Sequence, residues 1–110
     1  VKQFLAVYTG TPGMTPASMR EEAMSKGMAA WGKWMVDHAA QVVVEGGPLG
    51  KTKQVSKAGI ADIRNTMTGF TIVQAETHEE AAKLFENHPH FMIFPGDAVE
   101  IMECMPIPGR

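Results

Sequence analysis

A mixed α+β fold with one four-stranded antiparallel sheet is predicted by three observations. Strand-like and helix-like segments follow one another in the order β-α-β-β-α-β. Two Ser/Thr-x-x-Glu strings, Ser18-Met19-Arg20-Glu21 and Thr77-His78-Glu79-Glu80, mark helix starts, because the hydroxyl and the carboxylate satisfy free backbone N–H groups reciprocally. The first strand is apolar on both faces, so its sheet needs cover on both sides.

Each element has its own local reason. Phe4 to Tyr8 joins β-branched, aromatic and aliphatic residues and ends at Thr9-Gly10-Thr11-Pro12-Gly13. Phe4, Ala6 and Tyr8 share one face, and Leu5 and Val7 the other. The first helix opens at Ser18, with Thr15-Pro16 as an alternative start, and Glu21 and Glu22 suit the positive end of its dipole. Met24, Met28, Trp31, Met35, His38 and Val42 form its apolar stripe, and the helix is expected to end near Val42 to Val44. Lys51 to Ser56 reads as a second strand, polar on both faces and therefore at an edge. Lys57 to Asn65 reads as a loop, with a short apolar Ile60-Ala61-Asp62-Ile63 inside it. Met67 to Ala75 is the third strand. The second helix runs from Thr77 until Pro89 stops it near Asn87 or His88. Ala98 to Met105 is the last strand.

This order is the ferredoxin-like split βαβ arrangement, with both helices on one sheet face. Leu5, Val7 and Val73 are expected on the other face. Two helices do not cover both faces, so a second copy of the chain is the expected cover, giving a homodimer.

The 110 residues amount to one domain, 1–110. At 45% hydrophobic residues the chain is globular. A net charge of -2 without a dense basic run leaves no electrostatic footprint for nucleic acid or a membrane surface. Cys104, the single cysteine, has no internal disulfide partner, and Val1 to Val7 lacks the pattern of a secretory signal. A cytoplasmic location is expected.

Gly46-Gly47-Pro48-Leu49-Gly50, Thr68-Gly69-Phe70-Thr71-Ile72-Val73 and Thr77 through Ala82, in this order and spacing, resemble the YCII-related family. The closer likeness is to its subgroup named for an Asp-Gly-Pro-Phe motif. The resemblance covers most of the chain and implies a dimeric α+β barrel, in which two ferredoxin-like sheets pack face to face. The motif itself is replaced here by Asp62-Ile63-Arg64-Asn65. The early-helix histidine of the family's namesake group falls near Ala30 and Trp31, so its dyad is not carried over.

Four histidines hold most of the chemical potential, since imidazole titrates near neutrality. His38 shares a helix face with Trp31, Trp34 and Met35. It reads either as an acid–base group beside an aromatic wall or as a hydrogen-bonded core residue. Asp37 points about 100° away and is not its partner. His88 and His90 flank Pro89, either lining a pocket or capping a helix. Two imidazoles do not hold zinc firmly, even with Asp97 or Glu103 nearby, so no metal is expected. Arg64 and Asn65 are directional donors for a ligand oxygen or, alternatively, loop residues. Neither a phosphate loop nor a nucleophile elbow occurs. The expected function is therefore cofactor-independent acid–base chemistry on a small organic substrate. His38 or His90 moves the proton, Arg64 or Asn65 holds an oxygen, Trp31 or Trp34 supplies the wall, and His88 lines the site. The alternative is a non-catalytic dimeric ligand-binding or accessory module with structural histidines.

Overall fold

The computed structural model describes residues 1–11 and 20–109. The Ser18 capping box and the Thr15-Pro16 alternative lie outside the described residues. The chain runs β1 (Lys2–Thr9), α1 (Glu21–Asp37), β2 (Val42–Pro48), β3 (Thr52–Ser56), β4 (Gly59–Ile63), β5 (Met67–Ala75), α2 (His78–Lys83), α3 (Pro89–Met92) and β6 (Ala98–Glu103). The main sheet has the order β2-β5-β1-β6, with every neighbouring pair antiparallel. This is an α+β, ferredoxin-like sheet. Strands β3 and β4 form a separate two-stranded sheet.

Pairing sets the faces. Phe4 opposes Val73 and Glu103, Ala6 opposes Thr71 and Ile101, and Tyr8 opposes Gly69 and Val99. Together with Trp34 of α1, Ala81 of α2 and Phe85, the buried Phe4, Ala6, Tyr8 and Val73 form the core between helices and sheet. Val73 therefore lies with Phe4 and not with Leu5 and Val7 as expected. The strand alternates strictly, and the antiparallel register, rather than composition, decides which set faces the helices. The opposite face carries Leu5, Val7, Phe70 and Ile72, with Val44 and Met102 beside them and more than 40% exposed.

Several boundaries differ from expectation, among them the last strand, which ends at Glu103 and not at Met105. Helix α1 ends at Asp37, with His38 as its C-cap, because Val42-Val43-Val44 is a β-branched run that pairs with β5 at Val73 and Ile72. This β2, and not Lys51 to Ser56, is the sheet's second strand. The predicted 51–56 strand exists as β3 but pairs with β4, which occupies the predicted loop and includes the apolar Ile60 to Ile63. Its two polar faces follow from standing apart from the main sheet.

The buried face of α1 is also rotated from the predicted stripe. Gly27 and Trp34 are buried, whereas Met28 is 61% exposed. Gly27 lets Phe94 approach closely: a Cβ there would lie 2.6 Å from Cζ of Phe94, so the ring would have to shift. Helix α2 starts as predicted. The Thr77 hydroxyl accepts from the Glu80 N–H at 3.1 Å, and the Glu80 carboxylate accepts from the Glu76 N–H at 3.3 Å. It stops at Lys83, earlier than expected, and a turn carries the chain to Asn87 in the left-handed region (φ 58°). Pro89 then opens α3 instead of merely ending α2, since proline suits the first helical position.

Candidate functional site

Proline 89 organises the site. A residue before proline is held extended, and His88 has φ -63° and ψ 142°. This places its side chain as the N-cap of α3, where Nδ1 accepts the His90 N–H at 3.0 Å. Accepting at Nδ1 leaves the neutral ring's proton on Nε2. His88 is wholly buried, and Nε2 has no hydrogen-bond partner among the described residues. Its surroundings are aromatic: Trp31 at 4.6 Å, Trp34 at 4.8 Å, Tyr8 at 5.2 Å and Phe85 at 5.7 Å between ring centroids. Burial, with smaller contributions from the charges of His90 and His38, pushes the His88 pKa down to about 3. His88 is therefore a neutral hydrogen-bond donor at physiological pH.

His90 is buried as well, and its Nε2–H donates to the Thr9 carbonyl at 2.7 Å. The same carbonyl accepts the Asp97 N–H at 2.9 Å, and the Gly96 N–H donates to the His90 carbonyl at 3.0 Å. His90 thus ties α3 and the following turn to the end of β1. Gly96 is needed there, because a Cβ would overlap the His90 ring and carbonyl.

His38 is half-buried at the C-terminus of α1. Its Nδ1–H donates to the Trp34 carbonyl at 2.8 Å, and its ring stacks on the Trp34 indole at 4.5 Å with 28° between planes. The donor bond fixes the tautomer of the neutral ring and leaves the Nε2 lone pair as an acceptor. Asp37 binds Lys33 at 2.6 Å, one helical turn back, in line with the expectation that it does not serve His38. Trp34 is itself held by its Nε1–H, which donates to the Leu84 carbonyl at 2.9 Å.

Tyr8 is the residue that sequence reasoning missed. It stands at the centre, 4.8 Å from Trp31 and 5.2 Å from both His88 and His90. Its hydroxyl donates to Thr71 Oγ1 at 2.7 Å, and Thr71 donates onward to the Glu45 carbonyl at 3.0 Å. Burial pushes the phenol up to about 12. A tyrosine at the turn end of an inward strand face was the available signal.

No protein-family model matches the chain, and no curated protein does. Among solved structures, it is similar to the 5-chloro-2-hydroxyhydroquinone dehydrochlorinase (TftG) of Burkholderia phenoliruptrix AC1100, in complex with 2,5-dihydroxybenzoquinone. The TM-score is 0.59 and the identity 21%, over 94% of this chain and 93% of that one. This likeness shows the fold.

The fold brings Trp31, Trp34, His38, His88 and His90 into one aromatic and imidazole cluster. Arg64 and Asn65 belong to a different place, the base of the β3–β4 hairpin. Asn65 Oδ1 accepts the Met67 N–H at 2.9 Å, and its amide donates to Thr52 Oγ1 at 3.5 Å. Asn65 lines a surface groove of about 330 Å³ with Leu49, Lys51, Thr52, Lys53 and Met67, and no histidine takes part. A second groove, of about 340 Å³, adjoins the cluster through Phe85 and is walled by Phe91, Val99 and Ile101. Among the described residues no three His, Cys, Asp or Glu side chains gather, and no helix is long and apolar enough to cross a membrane.

Proposed function

We propose that this chain is a YCII-related, cytoplasmic homodimer built from one domain, an enzyme that runs cofactor-independent acid–base chemistry on a small organic substrate. The observation that carries this reading is the state of His38. Its Nδ1–H is engaged by the backbone, its ring is oriented by the Trp34 indole, and its Nε2 is left as a proton acceptor. Trp31 and Trp34 supply flat walls for a planar ring. His88, neutral and wholly buried among Tyr8, Trp31, Trp34 and Phe85, buttresses these walls from within and supplies no proton. His90 serves as second candidate base through its other nitrogen, whereas Arg64 and Asn65, at the base of the β3–β4 hairpin, take no part in this site. The structurally similar dehydrochlorinase is named for a small oxygenated ring, which supports hydroxylated quinones and hydroquinones as the first substrates to try.

The test is turnover of such a panel by the wild type and by His38→Gln, His90→Gln and the double variant. His38→Gln is expected to lower kcat by on the order of 10²–10⁴, the usual contribution of a positioned acid–base group. Full turnover by the double variant would reject the reading.

One observation favours the second reading, a non-catalytic dimeric ligand-binding or accessory module. Every imidazole of the cluster has one nitrogen bonded to the backbone, as structural histidines do. Under that reading, ligands bind to the wild type and double variant equally and neither turns them over.

A further inference from the structure

We infer that the β3–β4 hairpin is an arm that docks on a second copy of this chain. The inference rests on the dimer proposed above and adds a second contact to it. An isolated two-stranded hairpin is marginal in water, and this one forms a sheet of its own. In its register Val55 opposes Ile60 and Lys53 opposes Asp62, so an apolar pair and an ion pair share one face. That face is open to solvent: Val55 is 75% and Ile60 72% exposed. The Lys53–Asp62 pair, at 2.7 Å and exposed, contributes little by itself.

Charge indicates the occupant. Lys51, Lys53, Lys57 and Arg64 against Asp62 give residues 51–64 a net charge of +3. The chain as a whole carries -2, so the remainder carries −5. A basic arm with an apolar pair thus complements the acidic body of another copy. The edge strand β6 of that body, beside the face that the partner's sheet covers, presents Met102 and the exposed Glu100. The molecule also has the shape of something incomplete. Its extents are 50 × 39 × 18 Å, and its radius of gyration of 15.4 Å exceeds the about 13 Å of a compact domain this long.

Sedimentation equilibrium on the full chain decides the matter, with Val55→Asp/Ile60→Asp and, separately, Lys51→Glu/Lys57→Glu. Both pairs are expected to raise the dimer Kd roughly tenfold or more, and salt raised from ~0.05 to ~0.5 M should weaken the wild-type dimer. The charge pair leaves the hairpin's apolar face intact, so it reports even if the first pair unfolds the arm. A wild-type dimer that both pairs leave unchanged overturns the arm while the sheet-face dimer stands. A wild type that stays monomeric overturns both.

Discussion

His88 shows how one residue's chemistry is set by its neighbour in sequence and its cage in space. Pro89 holds it extended, the cap takes Nδ1, and burial keeps it neutral. Between the ordinary value of 6.5 and about 3, the unfolded chain binds a proton at residue 88 that the folded chain refuses. Stability should therefore fall as pH falls through that window, by at most ~1.4 kcal/mol per pH unit. Urea midpoints measured from pH 7 to pH 4 check this. His88→Asn, which retains a capping acceptor, should be less stable at pH 7 yet flatter with pH; an equal slope would mean that His88 ionises normally. Tyr8→Phe should cost about 1 kcal/mol, because Thr71 keeps its bond to Glu45 and loses only the phenol. The histidines were legible from residue type alone. Tyr8 was not, because an inward strand residue looks the same whether it packs or anchors a site.

At the scale of elements, local signals worked wherever the local interaction won. Thr77 caps α2 as its Ser/Thr-x-x-Glu string requires, and the Phe4-Ala6-Tyr8 alternation buries as one face. The signals failed at Val42, whose i+4 spacing from His38 continued the helical stripe. Three β-branched residues in a row and a partner strand in β5 outweighed that spacing. Gly27 is a similar contest between a local and a tertiary preference. Alanine there should gain up to about 1 kcal/mol of helix propensity but must displace the Phe94 ring. Gly27→Ala is expected to lower the melting temperature in the wild type and to raise it in a Phe94→Ala background. A rise in both backgrounds would show that the ring yields freely.

At the scale of the whole molecule, the open sheet face is the feature with most consequence. Val44 is 43% exposed in the single chain and opposes Ile72 on that face. Val44→Lys should weaken the proposed dimer by roughly tenfold or more, with little change in the unfolding of the isolated chain; an unchanged dimer would move the interface elsewhere. The sequence by itself determined the α+β class, the split βαβ order, the start of α2 and the stock of imidazole and indole chemistry. These depend on capping, alternation and residue type, which act over a few neighbours. Tertiary structure decided which valines became β2, why Lys51 to Ser56 stands apart in a hairpin, and which face Val73 takes. It also decided that five of the seven expected site residues join one cluster, in which Tyr8 touches Trp31, His88 and His90, while Arg64 and Asn65 lie apart. Those outcomes depend on strand register and on contacts between residues as far apart as Thr9 and His90, whose sequence separation leaves no local trace.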